Sequence, residues 1–139
     1  RDADKLLRDT VARRFEEQWK RLSQLQSDLV SNGMIAYVDD MEKAAIKLRT
    51  FIDKITTAPR GYSGLFDAVK INEKELEAIY QFDAAFFDLA EQVGRGVDNV
   101  EASLADEAAL PAAIRNIVAL ARLAVETYEK RSEVVTGSK

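Results

Sequence analysis

Imidazole and thiol chemistry are closed to this chain. Neither histidine nor cysteine occurs. That excludes Ser-His-Asp triads, His- or Cys-ligated metals, iron–sulfur clusters, disulfides and thiol nucleophiles. The carboxylates are concentrated in residues 73–105. Glu73, Glu75, Glu77, Asp83, Asp88, Glu91, Asp98 and Glu101 stand there against only Lys74 and Arg95, a local charge of −6. Carboxylates that converge between helices can hold magnesium or manganese and support phosphate hydrolysis. Helical spacing separates these: Glu77, Asp88, Glu91 and Asp98 fall away from the apolar seam, and Asp83 is the one acid on it. The di-iron bundle pattern needs Glu-x-x-His pairs, which this composition cannot supply. The acids read mainly as a solvated face, and no catalytic residue, metal ligand or cofactor is assigned.

Two other groups of residues can bind rather than react. Arg8, Arg13, Arg14, Lys20 and Arg21, with Phe15 and Trp19 beside them, have the composition of a basic amphipathic helix that grips phosphate or anionic lipid. Asp9, Glu16, Glu17 and Asp28 interleave with them. Ordinary charge pairing is therefore expected, with Trp19 at the edge of a core and no peripheral membrane contact. The second group lies in residues 58–72, APRGYSGLFDAVKIN. Two glycines and a proline rule out one continuous helix there, and Tyr62, Leu65, Phe66, Val69 and Ile71 make it too apolar for a solvated linker. Arg60, Tyr62, Phe66, Asp67 and Lys70 are candidates for contact with an anion or a partner. The plainer reading is that Tyr62, Leu65 and Phe66 fold back and plug one end of the domain. Gly61 with Gly64, and Gly94 with Gly96, are isolated pairs and make neither a Walker A loop nor a dinucleotide fingerprint.

These groups must be positioned by helices. The chain has 139 residues, 47% hydrophobic and 32% charged, which suits one domain with a real core. Two prolines and six glycines are too few for a many-stranded sandwich or barrel. Leu7, Val11, Phe15, Leu22, Leu25 and Leu29 recur at helical spacing over residues 3–31, interrupted by Gln18, and Asn32-Gly33 supplies a helix stop. Met34, Val38, Met41, Ala45, Leu48, Ile52 and Ile55 then alternate spacings of four and three, a coiled-coil-like heptad that ends before Pro59. A third helix is expected from Asn72, with Glu75 closing a capping box and Ile71 and Leu76 placed for a hydrophobic staple. Its seam runs through Leu76, Ile79, Asp83, Phe86, Ala90, Val93, Val97, Val100 and Leu104, past a soft point at Gly94 and Gly96. Pro111 suits the first turn of a fourth helix, whose face is Ile114, Ile117, Ala121, Ala124 and Tyr128.

Four amphipathic helices joined by two short links and one long one give an all-α, antiparallel up-down-up-down four-helix bundle. Residues 1–135 form the domain, and residues 136–139 form a frayed tail. The stretch Gly61-Tyr62-Ser63-Gly64-Leu65-Phe66-Asp67-Ala68-Val69-Lys70 resembles one found in uncharacterised bacterial helical-bundle proteins. That resemblance implies a bacterial origin and a helical bundle, and brings no activity with it. The chain opens on Arg1, which points to processing or to a piece of something longer. No run of 18 uninterrupted apolar residues occurs and no signal pattern opens the chain, so no transmembrane segment is expected and the location reads as cytoplasmic. The net charge of −4 argues against nucleic acid as the main partner.

A lone carboxylate on a buried seam is costly, so Asp83 should be paired. Reversal of the third and fourth helices near residues 107–108 places Arg131 opposite it. The same arithmetic, carried across the other links, puts Gln18 and Lys47 in that layer. The layer reads as a device that sets helix register, or else as a polar-ligand pocket beneath the 58–72 connection. The function expected is a non-enzymatic interaction or scaffold module with a protein partner or a second copy of itself. The alternative is a bundle that binds a small ligand or a carboxylate-held metal, in the manner of a phosphohydrolase.

Overall fold

A computed structural model describes residues 2–57 and 73–136. It is an all-α bundle of four helices, α1 (Asp2–Ser31), α2 (Val38–Thr57), α3 (Glu73–Ser103) and α4 (Leu110–Thr136), with short 3-10 turns at Ile35–Tyr37 and Glu107–Ala109. Successive helices run in opposite directions. α1 packs on α2 and α3, and α4 packs on the same two, so α2 and α3 lie diagonally across the bundle. The chain between residues 57 and 73 therefore links two helices that are not neighbours. Along the α1–α3 seam the two helices run the same way: Arg14 covers the Phe87 ring, Gln18 lies against Gly94, and Arg21 reaches Asp98.

The stop after α1 has an identifiable cause. Gly33 adopts φ 75°, and the bonds Gly33 N–H to Val30 O (3.1 Å) and Met34 N–H to Leu29 O (2.9 Å) close a Schellman cap. Met34, which carries the first place in the sequence's heptad, is thus pulled off the helix. It packs on the core as the residue just beyond the cap, and α2 starts at Val38 instead. Asp39 and Asp40 in the first turn of α2 and Lys54 in its last complement the helix dipole. An L-side chain at positive φ is strained, so Gly33→Ala is expected to cost about 1–2 kcal/mol in urea unfolding.

The core runs through all four helices. Val11, Phe15, Leu22, Leu25 and Leu29 come from α1, and Met41, Leu48, Phe51, Ile52 and Ile55 from α2. Phe86, Val93, Val97 and Val100 of α3 meet Leu110, Ile114, Ile117, Ala121 and Ala124 of α4. The rings of Phe15 and Phe86 lie 4.6 and 5.3 Å from that of Phe51, and Tyr128 stands edge-on to it at 6.4 Å. α3 is continuous through both of its glycines. Ser103, buried near its end, donates to the Asn99 carbonyl at 2.7 Å. By length and composition the helical stretch Glu107–Val134 is apolar enough to cross a membrane; in the bundle, a third of its most apolar window is buried in the core.

The two α3 glycines differ in what they face. A Cβ on Gly96 would meet Ile117 Cδ1 at 2.7 Å, inside the α3–α4 contact, whereas one on Gly94 would meet only the end of the Gln18 side chain, at 3.3 Å. Alanine gains about 0.5–1 kcal/mol of helix propensity at either site. At position 96 the buried Ile117 must move, and such overpacking costs about 1–3 kcal/mol. Thermal melts are accordingly expected to rise for Gly94→Ala and fall for Gly96→Ala.

Candidate functional site

The polar centre of the interior is made by two side chains on antiparallel neighbours. Asp83 and Phe86 lie one turn apart on α3, and Tyr128 and Arg131 lie one turn apart on α4. The aromatic pair of residues joins the Phe51 cluster. The charged pair sits one turn beyond it, towards the end of the bundle that carries the 58–72 connection. Arg131 Nε donates to Asp83 Oδ1 at 2.8 Å. Both residues are buried, Arg131 to 3% and Asp83 to 6% exposure. A charge-assisted bond of this length satisfies part of each group's lost hydration. The pair's net contribution to stability is small, but removing one member leaves the other charge in a poor solvent.

Gln18 and Lys47 lie elsewhere. Gln18 is half-buried in the α1–α3 seam, accepts a bond from Arg21 at 2.9 Å and lies against Gly94, about three turns along α3 from Asp83. Lys47 is half-buried on α2, level with the Gln18 layer across the α1–α2 hairpin. The expected four-residue layer is thus two separate places. The error came from treating α2 and α3 as facing helices. Arg60, Tyr62, Phe66, Asp67 and Lys70, with Asn72 of the capping box, lie outside the described residues.

The acids of α3 are dispersed along its outer side. Arg21 bonds Asp98 and approaches Glu101 at 3.8 Å, Arg95 pairs with Glu91 at 3.8 Å, and Gln92 donates to Asp88 at 2.8 Å. Among the described residues no three metal-capable side chains converge. On the other flank of α1, Arg49 bonds Asp53 at 2.9 Å, reaches Glu16 at 3.6 Å and covers the Trp19 ring at 5.0 Å. The Asp53 hydrogen bond holds the Arg49 pKa above its ordinary value. Trp19 is consequently half-buried at the core edge. The surface groove between α1 and α3 holds Arg14, Arg21 and Arg95 against Glu17, Glu91 and Asp98 and is electrically balanced.

Sequence reasoning missed Phe51 as the hub of the aromatic cluster. Its position next to Ile52 was the available signal, since a helix with two neighbours and a third helix across the diagonal buries a wider face than a heptad seam. No family model matches the chain, and neither does any curated protein or solved structure.

Proposed function

We propose that this protein is a helical-bundle interaction or scaffold module that acts through its surface. The observation that carries this reading is the makeup of the interior. Aliphatic and aromatic side chains from all four helices fill it, and Asp83, the one buried carboxylate among the described residues, is bonded to Arg131. A hydrolytic metal site would need inward carboxylates from different helices to converge. The exposed acids of α3 instead lie along its outside, where Glu91, Asp98 and Glu101 face arginines and Asp88 accepts from Gln92. The best use of such a bundle is to hold surfaces in fixed relation, which long helices with a continuous core do well.

Light scattering on the purified chain, together with affinity capture of the intact protein from its source cells under reversible cross-linking, tests this. A stoichiometric partner or a second copy is the expected result. A single-chain mass at every concentration, with no stoichiometric species captured, would overturn it.

A further inference from the structure

We infer that the outer seam between α2 and α4 is a docking groove for an acidic amphipathic helix of a partner protein. The inference rests on the interaction-module reading above and names the surface and the class of partner. Its starting point is α4. The sequence from Ala108 to Val125 contains Arg115 and Arg122 and no acid. Outside the buried face of this stretch, Val118 and Val125 remain half-buried rather than covered.

The position of the arginines follows from helix geometry. Asn116 and Leu120 mark the edge of α4 that meets α3, because both crowd Gly96. At 100° per residue, Val118, Val125, Arg115 and Arg122 fall on the opposite edge, towards α2. On α2, Arg49 marks the edge that meets α1, through Glu16 and Trp19. Lys43, Lys47 and Lys54 fall on the other edge, towards α4. The register is pinned by Lys54, whose Nζ lies 6.0 Å from the Tyr128 ring centre. α2 and α4 run in the same direction, so Lys47 is level with Arg122 and Lys43 with Val118.

The seam therefore has a shallow apolar floor of half-buried Val118 and Val125, with these five cations along its rims outnumbering the two acids that fall there, Asp40 and Glu129. Lys47 and Lys54 are half-buried, as expected of side chains whose stems lie along an apolar seam with their ammonium groups at its edge. Arg115 and Arg122 are exposed. Among the described residues, only Lys43 of these five cations makes an ion pair, with Asp40 at 3.7 Å. Such a rim in a chain of net charge −4 is locally opposite to the molecule as a whole. An apolar strip flanked by cations fits a helix with an apolar strip flanked by carboxylates. Arg115 and Arg122 are seven residues apart, so matching acids would recur at the same interval on the partner. An anionic membrane fits less well, because the face carries no tryptophan or phenylalanine and its floor is valine.

A photo-cross-linking residue at Thr50, exposed beside the groove, tests this in the full chain expressed in its source cells. The comparison sets Arg115→Glu/Arg122→Glu against a remote charge reversal at the same spacing on α1, Arg13→Glu/Lys20→Glu, both exposed, with circular dichroism confirming helicity. The expected product is an acidic helical segment of another protein. Its yield should fall at least about tenfold in the α4 variant and hold within about twofold in the remote one. A cross-link to lipid, to another copy of this chain or to a segment without acidic flanks would overturn the inference, as would a yield unchanged by the α4 reversal. If the chain captures a stoichiometric partner with no cross-link at Thr50, the groove is wrong and the module reading survives; if it captures none, both fall.

Discussion

Arg131→Met should lower the free energy of unfolding by about 3–5 kcal/mol, the largest loss expected from any single charged residue among those described. The substitution keeps most of the side-chain volume and removes the guanidinium that bonds Asp83 at 2.8 Å. The Asp83 carboxylate then remains at 6% exposure without this cation. Total stability for a domain of this size is about 5–15 kcal/mol, so the variant should be marginal at 37 °C. Asp83→Ala should cost less, because a long arginine can turn its head towards solvent whereas a short aspartate cannot. Asp83→Leu combined with Arg131→Met should recover most of the loss, since well-packed apolar pairs often replace buried ion pairs without penalty. Urea titration followed by circular dichroism provides all three values. An Arg131→Met cost below about 1 kcal/mol would show that the pair behaves as an exposed one.

Phe51→Ala should cost about as much, roughly 3–5 kcal/mol, for a different reason. Phe51 is fully buried and its ring touches partners on three other helices, with Phe15 at 4.6 Å, Phe86 at 5.3 Å and Tyr128 at 6.4 Å. Truncation removes transfer energy, opens a cavity and ends three ring contacts worth about 0.5–1.5 kcal/mol each. Neighbours from α1, α3 and α4 would have to move together to refill the space. Ile46→Ala is the matched control on the same helix: Ile46 is 57% exposed, and the change should stay within about 0.5 kcal/mol. Similar losses at positions 46 and 51 would contradict the packing described.

Asp83, Arg131 and Phe51 also mark which parts of the molecule can be read from residues alone. Asp83 and Arg131 were identifiable as partners because the link between α3 and α4 is short. A short link fixes both which helices are neighbours and how they align, so opposite positions follow by subtraction. Gln18 and Lys47 were misplaced by the same subtraction because α2 and α3 are joined by a long connection. A long connection fixes neither neighbour nor alignment, and here it links helices on a diagonal. Phe51 was passed over for a related reason: a strict heptad marks two positions in seven, whereas a helix inside a four-helix bundle buries about three. Met34 kept the heptad spacing and still left the helix, because the Gly33 cap ends α1 in a geometry that uses the next residue as its apolar lid. The basic α2–α4 seam is visible in the sequence only after the ring order of the helices is known, since Lys47 and Arg122 belong to segments that no local pattern connects.

Whether the molecule works through its surface or its interior is decided most directly by one comparison. Asp83→Leu/Arg131→Met replaces the polar centre and leaves every exposed residue in place. Stoichiometric partner capture and light-scattering mass should be unchanged from the parent protein, provided helicity is retained. A variant that keeps its helices and its melting cooperativity but loses its partner, or gains none where the parent has one, would place the function in the interior and contradict the account.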